Sequence, residues 1–180
     1  MARTQEFDFI QNFRFHVRAL GTDGTGGKNF LELDRGNDLS PDGEAGFQSA
    51  TIPEMTLDAT EYREGIYKWT RKYPGIPTFG DISLMRGVIK QDTLFFDWAM
   101  AVADGSEYRD DVDIYQYSRQ DLAAFAGVEE HISATPSRIY HCKGCFPIRA
   151  KPAADLDATS GEVAIAELDL SCEYYELEKL

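Results

Sequence analysis

Cysteine, positive charge and long apolar runs are all scarce in this sequence. Three cysteines in 180 residues, an odd number, do not describe a disulfide framework. Lys and Arg number 18 against 31 Asp and Glu, a formal net charge of -13. Proteins that grip phosphate backbones draw affinity from clustered cations, so this balance argues against nucleic-acid binding as the main role. It fits instead a soluble surface, or a wall that repels polyanions. No apolar run reaches the roughly 18 residues of a membrane helix. The opening MARTQEFDFIQ lacks the apolar core of a secretion signal, so folding in the cytoplasm is expected.

Motifs for catalysis or ligand binding are equally thin. GTDGTGGK, within a Gly- and Asp-rich excursion over 21–46, has Thr22 where a phosphate loop needs its first glycine and Asn29 after Lys28. Asp34, Asp38, Asp42 and Glu44 miss the alternating ligand spacing of a calcium loop. The CKGC stretch, Cys142 to Cys145, has redox-motif spacing, but strand-like residues follow it where a redox pair needs a helix. Zinc would require His141 and a distant Cys172 or His131 as further ligands. Asp110 and Asp111 are adjacent on a strand and point to opposite faces. No nucleophile, base and orienting group can be assembled, and no cofactor is expected.

What the chain does have is alternation. A content of 43% hydrophobic residues supports a core and one domain over 1–180. Phe13, Phe15, Val17 and Ala19 alternate with Arg14, His16 and Arg18. Met55, Leu57 and Ala59 alternate with polar residues, and Ile82, Leu84 and Val88 form an apolar row that Arg86 interrupts. One helix is expected after Asp92 as its cap. Leu94, Phe95, Trp98, Ala99 and Val102 lie on its inner face, Trp98 fills the core, and Gly105 ends the helix. A short helix is expected over 118–127. Arg138 to Cys142 and Pro147 to Lys151 read as strands around a turn holding Cys142 and Cys145. In the last strand Val163 and Ile165 have the opposite parity to Leu168, Leu170 and Cys172, which predicts a bulge near Ala166 and Glu167. The fold class is mainly β: an antiparallel barrel, or two packed sheets, with one flanking α-helix.

Several segments together resemble one family. They are EYREG at Glu61 to Gly65, YPGIPTFGDISLMRGV at Tyr73 to Val88, FFDW at Phe95 to Trp98, RDDVDIY at Arg109 to Tyr115, CFP at Cys145 to Pro147 and EVAIAELDL at Glu162 to Leu170. Their order over roughly 46–175 is similar to that of phage tail tube proteins, including the tube of T-even phages and the inner tube subunits of contractile injection systems. Cys145 and Phe146 stand where the family commonly has a small residue and a tryptophan before the proline, and the 21–46 excursion is longer than expected.

The resemblance implies a structural protein rather than an enzyme. Six copies would form a ring around a lumen, with rings stacked into a tube and sheath and baseplate or tube-initiator proteins as partners. Cargo or DNA would pass without specific binding, and the free subunit would not bind membranes. It would assemble in the cytoplasm and end in a phage tail or an extracellular or cell-associated particle. The segment 62–76 would be an extended arm reaching the next ring. Tyr62, Arg63, Glu64, Gly65, Arg71, Lys72, Pro74 and Gly75 would form its contacts, with Pro77 stiffening the return. Strand alternation then nominates Asp113, Glu167 and Asp169 as lumen acids. The alternative left open is a stand-alone β-barrel that binds a small ligand or zinc through the Cys142/Cys145 turn.

Overall fold

The structure, a computed structural model, describes residues 10, 12–13, 15–19, 47–88, 93–106, 108–117, 136–154, 161 and 163–179. The 21–46 excursion, Asp92 and the expected 118–127 helix lie outside them. The strands are β1 (Phe15–Ala19), β2 (Phe47–Ala50), β3 (Met55–Tyr62), β4 (Arg71–Phe79), β5 (Ile82–Gly87), β6 (Asp110–Gln116), β7 (Arg138–Lys151), β8 (Ile165–Ser171) and β9 (Tyr174–Lys179), and the helix is α1 (Leu94–Ala103). Seven strands form one antiparallel sheet in the order β1-β6-β7-β8-β5-β2, with β9 also on β7. Among the described residues, β3 and β4 pair only with each other. The sheet curls until β1 and β2 approach, but these edges do not pair. Among the described residues the barrel is therefore open.

The curl originates in β7. Its first half lies between β6 and β9, and its second half pairs with β8. The expected turn at CKGC is absent because the strand continues through it with a kink. Gly144 takes φ +63, a left-handed conformation that costs other residues roughly 1–2 kcal/mol. That kink lets Cys142 and Cys145, three apart, both face inward with no exposed surface. A second irregularity falls between Pro147 and Arg149. The predicted bulge at Ala166 and Glu167 does not occur, since β8 pairs with β5 in unbroken register. Val163 lies before the strand and is exposed, so its parity carries no information about β8.

Ile82, Leu84, Val112, Leu168 and Leu170 are fully buried and form the center of the core. Each contributes on the order of 1.5–3 kcal/mol through lost water contact. Arg86 continues the inward row of β5 because its guanidinium sits 4.0 Å from the Phe95 ring centroid, an arrangement worth about 2 kcal/mol when desolvated. Val88 lies beyond that strand.

Helix α1 buries Phe95, Trp98 and Ala101, and of the other residues expected on its inner face Leu94, Ala99 and Val102 are half-buried. Trp98 has no exposed surface and donates its indole N–H to the Tyr108 carbonyl at 2.6 Å. Thr93 occupies the cap position, and its hydroxyl donates to Asp97 at 2.8 Å. Gly105, at φ +68, ends the helix as its sequence position predicts.

Candidate assembly interface

β3 and β4 make a ribbon that projects from the body. Threonines, tyrosines and alternating apolar residues favor the extended backbone. Register runs from Met55 opposite Phe79 to Tyr62 opposite Arg71, with one extra residue of β4 accommodated between Leu57 and Ala59. Gly75 sits at this irregularity, where a Cβ would come within 2.8 Å of the Asp58 carbonyl. No other residue fits there without moving the partner strand. Pro74 and Pro77 oppose Ala59 and Leu57 and lack the N–H that a central strand would need, which suits a free ribbon edge. The ribbon is anchored at its root by Gly80 N–H donating to the Glu54 carbonyl at 2.8 Å and by Phe79 set edge-on to Tyr175.

Every residue of β3 is exposed, as are all of β4 except Gly75 and Phe79. A two-stranded ribbon is marginal in water without a covering layer, and the described residues supply none. One face carries Met55, Leu57, Pro74 and Pro77. The loop carries Ile66, 98% exposed, and Trp69, 75% exposed. Exposed apolar groups gathered in this way are a common feature of interaction sites.

The sequence places Arg63, Lys68, Arg71 and Lys72 around the loop against Glu64, an excess of three positive charges on a chain of net charge -13. Lys72 pairs with Glu61 across the ribbon at 3.2 Å, and Arg71 lies over the Tyr67 ring. Arg63, Glu64 and Gly65 occupy the loop, where Tyr67 N–H donates to the Glu64 carbonyl. The structure thus brings all eight nominated arm residues onto one projection. That projection begins earlier than expected, at Met55. Met55, Leu57, Ile66, Trp69 and Ile76, its large apolar groups, are absent from the nominated set.

The three nominated lumen acids lie on outward faces of two different halves of the sheet. Asp113 is 3% exposed and is covered by its partners: it accepts from Tyr115 Oη and lies 2.8 Å from His141 Nδ1. The other ring nitrogen of His141 contacts Glu178 of β9. Burial lowers the His141 pKa, but the bonds to Glu178 and Asp113 outweigh it and raise the pKa above the usual value. Glu167 and Asp169 sit side by side on β8, both bound to Arg149 at 2.8 and 2.9 Å. Hydrogen bonding from Ser83, followed by Arg149, holds Asp169 below the usual carboxylate range.

The cysteines point the other way, into the core. Burial pushes the Cys142 thiol up to about 12 and raises Cys145 as well. Neither thiol is poised as a nucleophile. His141 faces outward from the same strand, and among the described residues no cluster of His, Cys, Asp and Glu is arranged to hold a metal. No helix among them is long and apolar enough to cross a membrane.

Comparison with solved structures places this fold among tube proteins. The sheath–tube complex of an extracellular contractile injection system, PVC, in the extended state, matches at TM-score 0.70 and 20% identity, covering 99% of this chain and 100% of that one. The tube-terminating cap of the anti-feeding prophage matches at 0.68 and 20% identity, covering 100% and 95%. The baseplate of the same prophage matches at 0.67 and 19%, covering 96% and 97%. A comparison with curated proteins finds no match. The family model described as T4-like virus tail tube protein gp19 matches residues 11–176. With that match spanning nearly all of its length, this mainly β chain with its uncovered arm belongs to the T4-like tail tube protein family, whose members are structural tube proteins.

Proposed function

We propose that this chain is the repeating subunit of an inner tube in a contractile phage tail or related injection particle, with six copies to a ring and rings stacked along a lumen. The observation that carries this reading is the β3–β4 arm, whose apolar surface is left uncovered by the described residues. Stacking would cover it, and unpaired sheet edges would be satisfied by neighboring copies. The role is passive, without catalysis or cofactor: a sheath contracts around the tube and drives it forward. Sheath, baseplate and tube-initiator proteins are the partners, consistent with the complexes in which similar folds occur. Assembly takes place in the cytoplasm before the tube becomes part of the particle. Purified protein examined by native mass spectrometry and negative-stain microscopy should show hexamers, rings or tubes. A monomer that persists at high concentration, with sheath and baseplate proteins supplied, would refute the reading.

The lumen acids in this proposal are chiefly Glu167 and Asp169, which share the single cation Arg149 and leave one net negative charge between the three, since Asp113 is buried beneath His141. Acidic groups on the wall repel polyanions and keep acidic cargo from adhering. Glu167→Lys with Asp169→Lys should leave tubes intact while slowing cargo transit, measured separately from assembly. Unchanged transit through verified tubes would show that these charges are incidental.

A further inference from the structure

The arm carries opposite charge at its two ends. Residues 51–61 and 73–81, its root and shaft, hold Glu54, Asp58, Glu61 and Asp81 and neither lysine nor arginine. Residues 62–72, its tip, hold Arg63, Lys68, Arg71 and Lys72 against Glu64 alone. The register keeps the two groups apart, with Tyr62 opposite Arg71 at the tip and Met55 opposite Phe79 at the root. Among the described residues the only ion pair joining them is Lys72 with Glu61. Extended strand from Met55 to Tyr62 separates the ends by about 23 Å at 3.3 Å per residue. That exceeds the screening length of about 8 Å at physiological salt, so the tip of one copy does not neutralize its own root.

One face of the shaft combines this charge with an apolar group. Thr56 and Thr78 share that face, their hydroxyls 3.3 Å apart, and alternation puts Asp58 on it as well. Because Leu57 pairs with Pro77 and Ala59 with Pro74, Asp58 stands opposite Gly75 and Ile76. Ile76 is 80% exposed. Glu54 lies at the root, where its carbonyl accepts from Gly80 N–H. Glu54 and Asp58 are both exposed, with no cation against either among the described residues.

We propose that the arm tip of one copy seats on this face of the next copy's arm, Ile66 and Trp69 against Ile76, and Lys68 and Arg71 against Asp58 and Glu54. The inference rests on the tube reading above and names the surface that the arm meets. Charge selects the occupant: tip against tip, or root against root, brings like charges together, whereas tip against root is attractive. A tip and a root that differ allow a heterologous contact that repeats from copy to copy in one direction, as stacked rings require. Single exposed ion pairs add little, so the charges set the direction and the apolar side chains supply the affinity.

The test uses full-length chains carrying Thr70→Cys at the tip and Thr56→Cys on the shaft, both exposed and outside the proposed contacts, while the three native cysteines are buried. A short bis-maleimide added to assembled tubes should link the double variant into a ladder extending beyond dimers, and should link a mixture of the two single variants into heterodimers. In parallel, Lys68→Glu with Arg71→Glu reverses the tip, and Glu54→Lys with Asp58→Lys reverses the root. Each reversed chain, shown to be folded by circular dichroism, should lose its tubes when alone and regain them when the two are mixed. Verified tubes without the Thr70–Thr56 linkage, or with Thr70→Cys linking instead to Met100→Cys on α1, would overturn the inference while leaving the tube reading intact. Linkage that stops at dimers would reveal a closed antiparallel pair of arms and overturn it too, as would normal tubes from either reversed chain alone. Absence of any assembly by the unaltered protein would defeat the tube reading, and this inference with it.

Discussion

Deleting Arg63 to Lys72 and joining the strand ends with a short glycine turn should yield a folded subunit that forms no tubes. The deleted residues contribute nothing to the core: all but Glu64 are exposed, and Ile66 and Trp69 are among the most exposed apolar groups in the described chain. Stability should therefore move little, since surface changes away from special features usually stay within about 0.5 kcal/mol. Assembly should move a great deal. A buried tryptophan at an interface center commonly contributes 2 kcal/mol or more, and about 1.4 kcal/mol corresponds to a tenfold change in affinity. The same loss recurs at every copy along a tube. Circular dichroism would report the retained fold, and sedimentation with microscopy would report the missing polymer. Tubes of normal length from the deletion variant would remove the arm from the stacking contact.

Trp98→Ala should have the largest effect on the subunit itself, a loss of about 3–5 kcal/mol, the usual cost of emptying a large aromatic site in a core. Trp98 holds α1 onto the sheet, and its indole N–H satisfies the Tyr108 carbonyl in the segment that leads into β6. Against a total stability of about 5–15 kcal/mol, that loss puts the fold at risk. Urea denaturation of the variant measures it directly. Trp98→Phe separates the two contributions, because it restores most of the volume but leaves the carbonyl without its donor. A loss below about 1 kcal/mol for the alanine variant would show that the site collapses and that Trp98 is not the plug described.

Periodicity revealed the elements that bury their own faces. Val17 and Ala19 of β1, Ile82 and Leu84 of β5, and Phe95 and Trp98 of α1 face inward as their spacing predicts. The CKGC stretch misleads because a glycine after a lysine reads as a turn, whereas Gly144 provides only a single-residue kink within β7. Its signal was the odd spacing of Cys142 and Cys145, which both face inward only if the strand carries an irregularity.

The arm shows a different limit. Met55 and Leu57 alternate as core residues do, and nothing in alternation tells whether the cover comes from the same chain or from another. Its identification came from the ordered family segments. The lumen residues expose a further gap: alternation nominates Asp113 for the lumen wall, but only the fold shows His141 and Tyr115 closing over it.

β7 gives the two halves of the sheet a common fate. Because the same backbone is hydrogen-bonded to β6 and β9 at one end and to β8 at the other, disruption of either half weakens the register that the other depends on. The body therefore has no half-sheet that melts by itself, and it behaves as a single cooperative unit. In a tube driven forward under load, strain entering one half of a subunit is shared with the other through covalent bonds rather than through a packed seam.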